Sequence, residues 1–381
     1  MRLSSPSCVA FGMGAIGRAV SGYAMTTAGI HVTFADIAVD QIQAVNRDGG
    51  YWLATADIYS KETSETFISN VDAMHVESPH LCQRFAEAEY MVCAVGSKGF
   101  RALLPRILSL LKERDSLSND PLYCLIFEND HAAMTILLDA VQETFGSCPP
   151  WFHISKCSIE RMAKVSTRLN GSSMVIGETF FPIIADCHAM EGCSIYDRAD
   201  VLELVDDVEM YYFRKLLTNN LGHAVLAYAG TPKGYKTTLE AMSDPDIFAL
   251  LQKTLAESGR AVCDHWGFSQ SHMTSHLETL MLRYSNPGLI DELSRLGRDP
   301  IRKLGAEERI SYPLRLCYQY QIRPEGLLET LCYAINFEDP SQELNQLRKS
   351  IGYDGILRTI CGATDAFLFN ALQNINQHTG G

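Results

Sequence analysis

No stretch of this sequence approaches the ~18–20 uninterrupted apolar residues of a membrane-spanning helix, although hydrophobic residues make up 46% of its 381 positions. That apolar content is divided into short periodic segments, as in a chain that buries its own core. The opening residues MRLSSPSCVAFGMG hold one basic side chain and no long apolar run, so a secretory signal is not expected. Positive charge is scarce as well: 32 Lys and Arg face 45 Asp and Glu, for a net charge of -13. Nucleic acid and anionic membranes both demand a basic face, so neither is an expected partner. Twelve cysteines are scattered singly, and no two form C-x-x-C. At this length that usage points to reduced thiols in a cytoplasmic protein, with no disulfide framework. His272 and His276 stand four apart in HMTSH, but the glutamate of a metalloprotease helix is missing, so they read as exposed helix histidines. No metal is expected.

What is present is an alternation of strand and helix patterns over the first half. Segments 7–11, 31–36, 89–96, 121–129 and 151–157 read as strands, with helices at 15–28, 99–113 and 131–145 between them. Strands separated by helix-length segments imply an α/β fold, a doubly wound parallel sheet of Rossmann type. Segment 51–76 is rich in Thr, Ile, Val and aromatics with period-2 stretches, and is expected to form a small antiparallel insertion. Beyond about residue 195 strand patterns become scarce, and helical periodicity marks 199–229, 236–266, 271–284, 288–297, 321–336, 341–350 and 362–376. The expected organisation is a nucleotide-binding domain over 1–195 and a mostly α-helical C-terminal domain over 196–381. Two domains suit the length, since single cores seldom grow past ~250–300 residues.

FGMGAIGRAV, residues 11–20, places G-x-G-x-x-G between the first strand and the first helix, and Asp36 ends the second strand, 19 residues after Gly17. The three glycines do different things. Gly12 makes the tight turn, Gly14 admits a pyrophosphate to the backbone, and Gly17 lets the helix pack on the sheet. Met13, Ala15 and Ile16 complete the turn, whose helix N-terminus favours an anion. Asp36 is placed to accept from a ribose 2'-OH and to repel a 2'-phosphate, which points to NAD over NADP.

A second cluster is RKLLTNNLGHAVLAY, residues 214–228, with Lys215, Asn219, Asn220 and His223 inside about two helical turns. A desolvated lysine can serve as a base near neutrality, and Asn and His can hold an oxygen as alkoxide character develops. Taken alone, the residues read better as a solvated lysine and a satisfied core histidine.

The sequence resembles the polyol-specific long-chain dehydrogenases over nearly its whole length, through FGMGAIGR, GIHVTFADI, AVG (94–96), EN (128–129), the K-x4-N-x2-H pattern of Lys215, Asn220 and His223, ESG (257–259), RYSNPGLIDELSRLGRDPIRKLGAEERI (283–310) and AINFEDP (334–340). The resemblance is strongest to the phosphate-specific branch. It implies Lys215 as the acid/base, Asn129 and Asn220 as oxyanion-binding amides, His223 as the group that orients the reactive hydroxyl, and Val95 and Gly96 beside the cofactor. It implies a metal-independent, NAD-dependent interconversion of mannitol 1-phosphate and fructose 6-phosphate. Arg298, Arg302 and Lys303 are the expected contacts to the phosphate or distal hydroxyls, with interhelical salt bridging as the alternative. Arg161 is a further substrate candidate. On an ideal helix Asn219, not Asn220, shares the face of Lys215 and His223, so a local helix distortion or an obliquely placed substrate is expected. Two departures from the family pattern are Glu160-Arg161 in place of Asp-Arg and Phe181-Pro182 in place of Glu-Trp. The alternatives are a dehydrogenase of another polyol, sugar acid or sugar phosphate, or a non-catalytic NAD sensor. A monomer or weak homodimer is expected.

Overall fold

The computed structural model describes residues 6–128, 132–168 and 170–379, which divide into two compact units, 1–208 and 209–381. In chain order the first unit's strands are β1 (Ser7–Phe11), β2 (His31–Asp36), β3 (Tyr51–Ala56), β4 (Thr63–Ile68), β5 (Val71–His75) and β6 (Tyr90–Cys93). They continue with β7 (Leu122–Ile126), β8 (Phe152–Ser158), β9 (Ala163–Thr167), β10 (Ser173–Glu178), β11 (Ile183–Asp186) and β12 (Leu202–Val205). Eight form one sheet in the order β12-β11-β8-β7-β6-β1-β2-β5. The six strands from β8 to β5 run parallel, and the β11–β12 pair joins antiparallel to β8. β1, β6 and β7 are entirely or almost entirely buried, as strands covered on both faces must be. From β1 the chain builds first toward β2 and β5, then crosses to β6, β7 and β8. The topological switch point therefore lies between β1 and β6, where ligands of such sheets bind at the strands' carboxyl ends.

The expected local insertion at 51–76 takes a different form. β3 and β4 do pair antiparallel, but β3 also pairs parallel with β10, and β10 carries β9. Together they make a four-stranded sheet, β4-β3-β10-β9, from two distant segments. The last part of 51–76 is not insertion at all, since β5 is the edge of the main parallel sheet beside β2. Short strands such as β5 carry no label saying which sheet they join; pairing over a long sequence separation decides it.

The second unit is helical, as its periodicity requires. Its central helix, Asn219–Gly230, is buried on nearly every side by the helices Thr238–Met242, Pro245–Trp266, Leu293–Leu296 and Glu325–Ile335. The sequence NNLGHAVLAYAG has almost no charge to expose, which suits a helix at the centre of a bundle. Pro245–Trp266 begins with Asp244, whose Oδ1 accepts from the Asp246 and Ile247 amides at 2.9 and 3.2 Å, with Pro245 at the first helical position. Two helices, Pro300–Lys303 and Ser311–Gln319, lie outside the segments of helical periodicity, and the supposed helix at 199–229 opens with the strand β12.

Candidate active site

The glycine turn leaves β1 at the switch point. Gly12 has φ +96°, and a Cβ there would come within 2.5 Å of the Ala94 carbonyl oxygen and 2.9 Å of Val95 Cγ1. The loop after β6 thus presses directly on the turn after β1. At Gly17 a Cβ would overlap the Gly12 carbonyl, so turn and helix close on each other. Gly14 is different: a Cβ there would meet nothing within 4 Å. That open space beside the backbone is what a pyrophosphate requires, and the residues present fit a dinucleotide.

Asp36 does more than the sequence suggested. Its Oδ2 accepts from the Met13 amide at 2.5 Å, and its Oδ1 accepts from the Ile37 and Ala38 amides at 2.7 and 2.9 Å. The carboxylate that would meet a ribose is also the clamp that holds the glycine turn to the end of β2. Across the switch point Glu128, 5% exposed, accepts from the Val95 and Gly96 amides at 2.8 and 3.0 Å. In the sequence Glu128 is only the first letter of EN, with no role attached to it. A buried carboxylate fastening a loop beside the nucleotide turn is a function that spacing alone does not reveal. Its neighbour Asn129 lies outside the described residues.

Lys215, Asn220 and His223 belong to the second unit. The helix Val208–Leu217 ends just after Lys215, Thr218 leaves helical geometry at φ -120°, ψ -73°, and a new helix starts at Asn219. This is the distortion that the K-x4-N spacing called for. Side chains hold it in place: Ser258 Oγ donates to the Leu217 carbonyl at 2.6 Å and Tyr284 OH to the Asn219 carbonyl at 2.9 Å. His276 Nε2 is 2.9 Å from Thr218 Oγ1 and His272 Nε2 is 2.9 Å from Arg214 Nη1, so the HMTSH pair braces the break.

His223 packs edge-on against Tyr284, centroid to centroid 4.9 Å, with its side chain 12% exposed. Its Nε2 is shut from solvent and has no hydrogen-bond partner among the described residues. Asp291 Oδ2 is the nearest counter-charge, at 3.9 Å, beyond hydrogen-bond reach. Burial pushes the imidazole down to about 3, against the pull of Asp291 and with the repulsion of Arg283, Arg295 and Arg309. The ring is therefore neutral at physiological pH, with one polar atom unsatisfied. An unpartnered buried polar atom is costly in a native protein and marks a place where a ligand group completes the bonding. Asp291 in turn accepts from Arg295 Nη2 at 2.5 Å. None of Asp291, Arg283, Arg295 and Arg309 stood out as a site residue in the sequence, although all lie in the segment 283–310.

The expected substrate cations separate. Arg298 and Arg302 are exposed; Arg298 Nε donates to the Arg295 carbonyl at 3.3 Å and Arg302 Nη1 to Glu308 Oε1 at 2.7 Å. Lys303 is 6% exposed, with Nζ donating to the Leu296 carbonyl, and burial beside Arg309 and Arg302 pushes it down to about 7. Its amine is thus tied to the backbone inside the helical unit, unlike the outward Arg298 and Arg302. Arg161 is buried as well. At 3% exposure it donates from Nε to the Glu178 carbonyl at 2.7 Å, from Nη1 to the Ala19 carbonyl at 2.6 Å and from Nη2 to Thr55 Oγ1 at 3.2 Å. Its fork ties the four-stranded sheet to the helical turn that follows β1. Phe181-Pro182 forms the link between β10 and β11.

A Rossmann unit with a nucleotide turn, followed by a helical unit holding a Lys-Asn-His set, defines a class of dehydrogenases, and the comparisons assign the family. The Mannitol dehydrogenase Rossmann domain matches residues 6–192 and the Mannitol dehydrogenase C-terminal domain matches residues 207–349. The chain belongs to the mannitol dehydrogenase family. It is similar to the mannitol-1-phosphate 5-dehydrogenase of Enterococcus faecalis, 27% identical over 98% of this chain and 97% of that one. It is similar also to the enzyme of the same name from Bacillus subtilis, 26% identical over 92% and 94%. Among solved structures, a substrate-free D-sorbitol dehydrogenase superposes with TM-score 0.78 at 13% identity, over 99% of this chain and 94% of that one. The Pseudomonas fluorescens mannitol 2-dehydrogenase, in complex with NAD and D-mannitol, superposes with TM-score 0.74 at 15% identity, over 99% and 92%. At those identities the likeness is one of fold. No described helix is long and apolar enough to cross a membrane.

Proposed function

We propose that this dehydrogenase interconverts mannitol 1-phosphate and fructose 6-phosphate with NAD, using Lys215 as the acid/base. The observation that carries the reading is His223 Nε2, a buried ring nitrogen without a hydrogen-bond partner among the described residues, eight residues after Lys215 and three after Asn220. In oxidation Lys215 Nζ takes the proton of the reacting hydroxyl, and in reduction it returns it. Asn220 and the neutral His223 hold the oxygen as negative charge grows, which costs no reorganisation when the donors are already placed. Asn129 is proposed as the second amide. NAD, when bound at the glycine turn, accepts the hydride that leaves the carbinol carbon. The near-full-length similarity to relatives named mannitol-1-phosphate 5-dehydrogenase supports the phosphorylated substrate.

For the phosphate itself, Arg298 and Arg302 remain the proposed contacts, because both present guanidinium groups outward. The Arg302–Glu308 bond is half-exposed, and pairs of that kind are worth only ~0–1 kcal/mol, so a phosphate dianion can displace it. The burial of Lys303 favours a second reading, a related dehydrogenase of an unphosphorylated polyol, since it withdraws one of three expected cations. NADH consumption with fructose 6-phosphate, set against free fructose, decides between them. We expect fructose 6-phosphate to be reduced far better, and Arg302→Ala to erode that preference by roughly 1.5–3 kcal/mol. Equal or better turnover of free fructose removes the phosphate reading and leaves the dehydrogenase standing.

A further inference from the structure

At the edge of the first unit's sheet, β11 and β12 run side by side with Asp186 opposite Val205. The ladder continues one step further: the Cys187 amide donates to the Val205 carbonyl at 3.0 Å. That register sets the next two side chains next to each other, and Cys187 Sγ donates to Asp206 Oδ1 at 3.2 Å. His188 follows at once, on a turn where Asp186 Oδ1 accepts from the Ala189 amide at 2.8 Å and the Asp186 carbonyl from the Met190 amide at 3.1 Å. A thiol sulfur, an imidazole nitrogen and a carboxylate oxygen thereby come within 4.8 Å of one another, in what is the one such grouping among the described residues. The dehydrogenase chemistry uses none of the three.

We propose that Cys187, His188 and Asp206 form a binding site for a divalent cation of the zinc type, with solvent in the fourth position. The donor set chooses the ion. Calcium and magnesium want oxygen alone, whereas thiolate with imidazole and carboxylate suits zinc and its chemical neighbours. Tetrahedral bonds of about 2.0–2.3 Å place ligand atoms about 3.4 Å apart, so the three groups close in by at most about 1.4 Å on binding. Side-chain rotation supplies that movement, since His188 and Asp206 are exposed and Cys187 is half-buried. Binding replaces the S–H bond by an S–metal bond and releases one proton to solvent, with no change of oxidation state. Affinity should accordingly rise with pH.

The test uses the full chain and Co2+ alone as a spectroscopic probe, under reducing conditions. A sulfur-to-cobalt charge-transfer band should saturate at one equivalent and vanish when Zn2+ is added. Cys187→Ser should abolish it, while Cys148→Ser, at an exposed cysteine elsewhere, should leave it intact. His188→Ala and Asp206→Asn should each weaken binding by about tenfold or more, since even groups that only orient a ligand are worth roughly 10–100-fold. Far-UV circular dichroism and NADH binding check that each variant is folded. No band in the unmodified protein, or a band that survives Cys187→Ser, overturns the proposal.

Discussion

Gly222 sits one residue before His223, and a Cβ built there overlaps the Tyr284 hydroxyl and comes within 2.8 Å of its Cζ and 2.9 Å of its Cε2. Tyr284 is 2% exposed, so the ring has little room to retreat. Gly222→Ala should cost ~1–3 kcal/mol in overpacking. Displacing the ring also breaks the 2.9 Å bond to the Asn219 carbonyl, and taking that acceptor from the buried Tyr284 hydroxyl adds ~1–3 kcal/mol. The total is about 2–6 kcal/mol. Tyr284→Phe loses the hydrogen bond without the overlap, for about 1–3 kcal/mol. In the double variant the hydrogen bond is lost once rather than twice, and the worst overlap is gone although the two ring carbons still crowd the methyl. Its cost should therefore fall short of the sum of the singles by about 1–3 kcal/mol. Urea unfolding followed by far-UV circular dichroism gives the four corners of the cycle, and turnover gives the functional readout. Each single variant should lower turnover, because the Asn219 carbonyl bond holds the break between the helix that carries Lys215 and the helix that carries Asn220 and His223. Strict additivity, or a neutral Gly222→Ala, refutes the account of how the break is held.

Asp36→Ala should narrow the preference for NAD over NADP, which we place at ~2–4 kcal/mol, and should also destabilise the glycine turn, because three backbone amides lose their acceptor; cofactor titrations and thermal melts read the two effects separately, and equal use of both cofactors by the unmodified protein contradicts the assignment. Lys215→Ala should cut polyol oxidation by roughly 10²–10⁴-fold and abolish its rise with pH while NADH still binds; retention of most activity places the base elsewhere. His223 gives a pH dependence of known sign. Its folded value of about 3 lies below the ordinary 6.5, so the unfolded chain binds more protons between those values. Stability should be unaffected above about 6.5 and fall as pH drops toward 3, by at most ~1.4 kcal/mol per pH unit. The difference between wild type and His223→Asn in unfolding free energy across that window isolates the contribution, and parallel curves count against a neutral buried imidazole.

The sequence by itself determined what depends on neighbours along the chain. Three glycines between a strand and a helix, with an acid at the end of the next strand, are local features, and the structure puts them where the strand order reverses. The break at Thr218 was implied by a helical mismatch of a single residue between Asn219 and Asn220. Helical periodicity likewise marked most of the second unit, because one buried stripe repeats every 3.6 residues whatever it packs against. Tertiary structure decided the rest. Whether β3 and β4 make a private hairpin or half of a second sheet depends on β9 and β10, more than a hundred residues away. Arg161, Arg302 and Lys303 are indistinguishable as cations in a string of letters. Desolvation and the available acceptors send Arg161 between the four-stranded sheet and the first helix and Lys303 into the helical core, and leave Arg302 in water. The same holds for carboxylates: Glu128 and Asp291 acquire their roles only when folding brings two backbone amides to one and a buried imidazole to the other. Pairing over long separations and the dielectric around a charge are properties of the assembled fold, and no local spacing encodes them.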